Sequence, residues 1–156
     1  NITRRHFALA LERNHGLDRQ QISRLTGNSS PAYVPSGIAP DQLADFLKRY
    51  PSLVRVLAHP AAGSFPGESL YREVLPPVEI VEKLLPEFLE GPGLDGLEVH
   101  YPGHTPGHEA LIAGWAERLG LLKTGGSDCH DPVQRPLGAA GVSRAELERF
   151  LEVLDG

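Results

Sequence analysis

The chain has 156 residues, 40% of them hydrophobic, which suits one domain, or part of a larger one, with a real core. Its formal net charge of −5 comes from 15 basic and 20 acidic residues, and no basic block stands out, so no footprint for duplex DNA is indicated. No apolar run approaches the ~20 residues of a membrane span, and the single cysteine, Cys129, excludes an internal disulfide and fits a reducing, cytoplasmic compartment.

The first fifty residues read as helical. Residues 3–14, TRRHFALALERN, carry Phe7, Leu9, Ala10 and Leu11, with Thr3 as N-cap and Gly16 as stop. Residues 18–26 form a second predicted helix that Asp18 caps. GNSSPAYVPSG is a loop of turn residues. Residues 39–50 are a third helix, opened by Pro40 and Asp41, with Leu43, Phe46 and Leu47 on one face.

The pattern then changes. SLVRVLAHP, 52–60, is a β-branched run that reads as a buried strand ending at His59. PPVEIVEKLLPEFLE is helical, with Val78, Val81, Leu84 and Leu85 inward and a kink or break at Pro86. LDGLEVHY is the next strand, TPGHEALIAGWAERLG a helix closed by Gly120, and LLKTGGSDCH a third strand running into a polar loop. SRAELERFLEVL ends the chain as a helix with a Ser143–Glu146 capping box. Alternating strands and helices argue for an α/β domain with parallel strands, whose active sites lie at the C-terminal strand ends. His59, His100, His104, Asp128 and His130 all fall there.

These residues have bland readings as well as chemical ones. His59 before proline is a weak signal alone. Asp128 and His130, two apart on an extended segment, would point the same way and could reach one metal or two adjacent ones; the alternative is a turn with Asp128 as its cap. Alternation turns Cys129 away from them, as a small buried apolar residue. Glu98 and His100 share one side of their strand. His104 and His108 straddle a turn and a helix start that Thr105 caps. They are read as turn and exposed first-turn residues rather than primary ligands. Neither a G-x-S-x-G elbow nor a phosphate-binding glycine loop is present.

PGHTPGH, 102–108, resembles the metal-binding turn of the metallo-β-lactamase superfamily, but the HxHxDH motif of that superfamily is absent, which makes such a hydrolase the remoter reading. A second resemblance runs through the chain in order: ITRRHFALAL, PAYVP, VRVLAHP, GLEVHYPGHTP and AERLGLLKTGGSDCHDP. On these pieces the sequence resembles the second half of a PHP-domain protein, of the polymerase and histidinol phosphatase superfamily. More narrowly, it resembles the bacterial branch of nucleotide-phosphate phosphoesterases and 5′-to-3′ exoribonucleases.

The resemblance implies an α/β fold, the second half of a distorted barrel (51–156) carrying a small helical insertion (1–50). It implies that His59, Asp128 and His130 are metal ligands and that Arg4 and His6 bind substrate phosphate. The cofactors would be divalent Mn, Fe or Zn, up to three in a complete site, and the substrate a small phosphorylated molecule or an RNA end. The family's HxH pair and remaining ligands belong to an N-terminal half not found in these residues. The chain begins at Asn1 and contains no methionine, so a preceding part is expected, and the chain alone is expected to bind metal weakly and not to catalyse. A truncated domain kept for binding or structure is the alternative.

Overall fold

The computed structural model describes residues 4–27, 30–32, 37–67, 69, 71–130, 132–133 and 135–155. The N-cap expected at Thr3 and most of the PAYVP stretch lie outside them. The chain divides into two units, Asn1–Gly37 and Ile38–Gly156.

The first unit is a pair of helices, α1 (Arg4–His15) and α2 (Arg19–Thr26). Gly16 ends α1 at φ +63°, a left-handed conformation that only glycine adopts without strain. Asp18 caps α2 through a reciprocal box: its carboxylate accepts the Gln21 amide at 2.8 Å, and the Gln21 side chain accepts the Asp18 amide at 2.9 Å.

The second unit holds α3 (Pro40–Lys48), β1 (Val56–Leu57), a 3-10 turn at Ala62–Ser64, α4 (Tyr71–Val74), α5 (Val78–Glu90), β2 (Gly96–His100), α6 (Pro106–Leu119), β3 (Leu122–Gly125) and α7 (Arg144–Asp155). The three strands are parallel in the order β1-β2-β3, with Leu57 opposite Leu97 and Leu97 opposite Lys123. Leu97 and Val99 of β2 are buried with Ile112 and Trp115 of α6 and Val81 and Leu85 of α5. The indole N–H of Trp115 donates to Glu82 at 2.8 Å, so the largest buried ring leaves no polar atom unpaired.

Two expectations are corrected. The strands are shorter than the apolar runs, because the backbone turns off β1 at His59 (φ +34°) and off the segment after β3 at Asp128 (φ +48°). α5 runs unbroken through Pro86; Pro86 is exposed, so water can satisfy the carbonyl its missing N–H would have paired. On α3, Leu43 and Phe46 are exposed. The short helix α4 and the 3-10 turn were not anticipated, since four-residue and three-residue elements leave no periodicity to read.

The end of the sheet opposite the site is tied by one ion pair. Arg55 grips Asp95 through Nε at 2.7 Å and a terminal amine at 2.9 Å, and the Arg55 amide donates to the same carboxylate at 2.7 Å. Gly93, at φ +77°, lies under that guanidinium; a Cβ there would come within 2.3 Å of it. The hydrogen bond from Arg55 holds the Asp95 carboxyl below its ordinary pKa, against the cost of burial. Asp95→Asn is therefore expected to lower stability at neutral pH by about 1–2 kcal/mol for this partly solvated pair. A depressed folded pKa means that Asp95 stabilises fully above its unfolded pKa, near 4. That contribution fades as pH falls through the lower folded value. Urea unfolding of the two proteins between pH 7 and pH 3 should show the difference shrinking at the acid end.

Candidate functional site

β2 separates core from site by simple alternation. Leu97 and Val99 go inward, while Glu98 and His100 are partly buried on the other face. Glu98 reaches across to β1, where its carboxylate accepts the His59 backbone N–H at 2.7 Å. Burial pushes the Glu98 carboxyl above its ordinary pKa, although the His59 amide opposes this. On its other side Glu98 lies against Gly126, where a Cβ would come 3.5 Å from its oxygen. One carboxylate thus touches both loops that leave the sheet.

Among the described residues, the two non-glycine residues with left-handed backbone are His59 and Asp128. Such conformations cost on the order of 1–3 kcal/mol and persist where the surroundings over-determine them, often at functional sites. Both had been singled out as metal ligands from the resemblance.

Asp128 is held by several donors at once. Its Oδ2 accepts from Arg135 at 2.8 Å, Tyr101 at 2.9 Å and Tyr71 at 3.2 Å. Arg135 also donates to the Tyr101 hydroxyl, and its guanidinium carbon lies 5.0 Å from the Tyr101 ring centroid. The other oxygen, Oδ1, lies 3.0 Å from His130 Nε2. Burial alone would raise the Asp128 pKa, but the Tyr101 hydrogen bond, the His130 charge, Tyr71 and Arg135 outweigh it and hold the carboxylate ionised. Burial, followed by hydrogen bonds with Tyr71 and Asp128, pushes the Tyr101 phenol far above the usual range, so it stays a donor.

The histidines surround the same aromatic cluster. His59 packs at 5.6 Å from Tyr71 and 5.5 Å from Tyr101, and His104 at 5.3 Å from Tyr101 and 5.8 Å from Phe65. His104 Nδ1 lies 2.7 Å from the Val99 carbonyl, which makes Nδ1 the protonated nitrogen. Burial pushes its pKa down, with lesser effects from neighbouring charges, so the ring is neutral. His108 sits third in α6. Its amide donates to Thr105 Oγ1 at 3.2 Å and its Nδ1 accepts the Thr105 amide at 3.4 Å. The Thr105 cap is as read from the sequence, but His108 is half-buried rather than exposed, because its ring closes that cap. His100 lies 3.2 Å from Glu146 of α7 and 3.9 Å from Glu109 of α6, so it braces helices rather than the aromatic cluster.

Asp128 and His130 meet, though not for the reason alternation offered. Asp128 is left-handed, not extended, and the bend brings the two side chains together. Cys129 is half-buried rather than sealed in the core, since the strand has already ended at Gly125. His59 is joined to the pair through Tyr71 and Tyr101, whose rings pack on it and whose hydroxyls bind Asp128. Among the described residues, no three His, Cys, Asp or Glu side chains are grouped closely enough to hold one ion. Arg4 and His6 are exposed in the first turn of α1. Sequence reasoning missed Tyr71 and Tyr101 as partners of Asp128. A tyrosine directly following His100 was the one signal within reach.

No protein-family model and no curated protein matches the chain. Solved structures do. A proposed metal-dependent phosphoesterase from Bifidobacterium adolescentis is similar over 97% of this chain and 50% of its own, with a TM-score of 0.68 and 27% identity. An amidohydrolase from Chromobacterium violaceum, solved with sulfate and no metal, is similar over 98% of this chain and 51% of its own, with a TM-score of 0.66 and 24% identity. The chain therefore spans about half the length of these structures. It shares their fold over that half: a mixed α/β arrangement around a three-stranded parallel sheet. No described helix is long and apolar enough to cross a membrane.

The Glu98–His59 link has a direct consequence. Glu98→Ala leaves the His59 amide without its acceptor and is expected to cost about 1–3 kcal/mol. Glu98→Gln retains an acceptor oxygen and should cost less. Hydrogen exchange at the His59 amide, beside urea unfolding, reads both: exchange should quicken in the alanine variant and stay near wild type in the glutamine variant.

Proposed function

We propose that the chain is part of a metal-dependent phosphoesterase acting on phosphate esters of nucleotides or RNA ends. His59, Asp128 and His130 are its contribution to a divalent cation cluster. The observation that carries the reading is the coincidence of strain and chemistry: His59 and Asp128 alone among described non-glycine residues take left-handed backbone, and Asp128 contacts His130. The likeness to a proposed metal-dependent phosphoesterase over half of that chain supports it.

The donor set suits the group. Imidazole with carboxylate fits Mn, Fe or Zn better than Ca. Asp128 is ionised, and the Nδ1 of His59 is buried, which leaves Nε2 as the nitrogen for a ligand. Three donors do not complete a cluster, so the remaining ligands come from a preceding half of the same domain. When bound, the cations neutralise phosphoryl oxygens and activate water for attack.

The protein's own part is to hold and aim. Tyr71, Tyr101 and Arg135 saturate Asp128 Oδ2 and leave Oδ1 turned toward His130. Arg135 offsets the negative charge that gathers there. Arg4 and His6 grip the substrate phosphate. Positions two apart on a helix do not share a face, so a phosphate held by both would lie at the N-terminal end of α1.

A second reading, a domain kept for binding or structure without catalysis, is favoured by the lack of any three-donor group among the described residues. Mutation separates the two. In a chain completed to the length of its structural neighbours, His59→Ala and Asp128→Asn are expected to lose metal and phosphoesterase activity together. Arg4→Ala should keep metal and lower kcat/KM about 10–100-fold, the loss of a charge-assisted phosphate contact. Metal content beside steady-state hydrolysis of nucleotide phosphates is the measurement. Full activity in Arg4→Ala and His6→Ala would remove the phosphate role, and a complete chain that binds metal without hydrolysis would favour the second reading.

A further inference from the structure

Among the described residues, the buried side-chain polar atoms without a hydrogen-bond partner are His59 Nδ1 and His104 Nε2. Buried polar atoms are seldom left unpaired, so each calls for an explanation. Both belong to imidazoles packed on one ring, Tyr101, at 5.5 and 5.3 Å.

Their hydrogen-bonding roles are complementary. A neutral imidazole has one donor and one acceptor nitrogen. His104 Nδ1 lies 2.7 Å from the Val99 carbonyl, which can only accept, so Nδ1 carries the proton and Nε2 is a lone pair in need of a donor. For His59 the assignment rests on the functional reading above. Nδ1 is sealed from solvent, so Nε2 is the nitrogen a cation can reach. Its lone pair then lies on Nε2, and the proton lies on Nδ1, in need of an acceptor. One orphan is a donor and the other an acceptor, and both rings lie against Tyr101. One water between them, accepting from His59 and donating to His104, would satisfy both.

We infer that His104 is a positioning residue for His59: through one buried water it accepts the His59 Nδ1 proton and so holds the His59 Nε2 lone pair toward the metal site. The chain of contacts runs from the Val99 carbonyl through His104 and the water to His59. It starts on β2, the central strand, and ends on the loop after β1. Its rigid end is the backbone of a residue that is 1% exposed. The histidine of PGHTPGH thus acts on the metal site without being a ligand. The alignment of a ligating ring by a hydrogen bond from its second nitrogen is a general need of metal sites. What is particular here is that another histidine supplies it.

The test begins with tautomers and needs no metal. In the 15N-histidine-labelled full chain at a pH where both rings are neutral, long-range 1H–15N spectra should show His59 and His104 both protonated at Nδ1. In His104→Phe, which keeps an aromatic ring but no acceptor, His59 should shift to the Nε2–H form or to a mixture. In His104→Gln, whose amide can donate to Val99 and accept from the water, His59 should keep Nδ1–H. In a chain completed to the length of its structural neighbours, Mn2+ titration followed by calorimetry should show affinity falling about 10–100-fold in His104→Phe and much less in His104→Gln. His59 protonated at Nε2 in the wild type overturns the inference, and so does an unchanged His59 tautomer in His104→Phe. If that variant fails to fold, the wild-type tautomers and the glutamine variant still decide. If the tautomers are as stated but a chain completed to the length of its structural neighbours binds no Mn2+, the hydrogen-bond chain stands and the metal reading is what fails.

Discussion

The hydrogen bond from the His59 amide to the Glu98 carboxylate, 2.7 Å long, is the constraint on which the site rests. A histidine at φ +34° does not hold that geometry by itself. It holds because a partly buried carboxylate on the neighbouring strand fixes its N–H and because aromatic rings wall its side chain. Glu98 can do this only because β2 alternates, with Leu97 and Val99 anchored in the core and Glu98 on the opposite face. Core packing therefore sets the direction of a carboxylate, and the carboxylate sets the direction of a histidine. A strand slipped by one residue would reverse every side chain on it and undo both.

Asp128 shows the same logic on the other loop. Close packing of Gly125 on His100, where a Cβ would come within 2.7 Å of the His100 Cβ, brings the end of β3 against β2. The chain then turns left-handed at Asp128, and Tyr71, Tyr101 and Arg135 converge on one oxygen. A guanidinium and two phenols keep a half-buried carboxylate ionised where burial alone would favour its acid form. The two tyrosines are shared property: their hydroxyls serve Asp128 while their rings pack on His59. That shared use couples the two loops although their metal-type donors do not touch.

Stability and function are divided between the two ends of the sheet. At the N-terminal ends of β1 and β2 the Arg55–Asp95 pair closes the register with bidentate geometry. At the C-terminal ends lie the strained residues and the unpaired imidazole nitrogens. A parallel α/β arrangement permits this division, because its active sites gather at the C-terminal strand ends.

Much of this was legible in the sequence. Period and caps located the helices, and β-branched runs located the strands, because both signals are local and arise from backbone sterics and solvent-facing periodicity. Asp18, Thr105 and Gly16 marked helix ends for the same reason. The positions of His59, Asp128 and His130 at strand ends were readable too, as was their chemical type. What the sequence could not show was how those side chains are held. The strands end early, Asp128 and His130 meet through a bend rather than through alternation, and α4 brings Tyr71 to Asp128 across 57 positions of chain. The lone pair of His104 depends on a carbonyl five residues back and on burial by Phe65 and Tyr101. Contacts of that kind carry no period and no motif. They exist only once packing has chosen which surfaces meet, and so tertiary structure decided them.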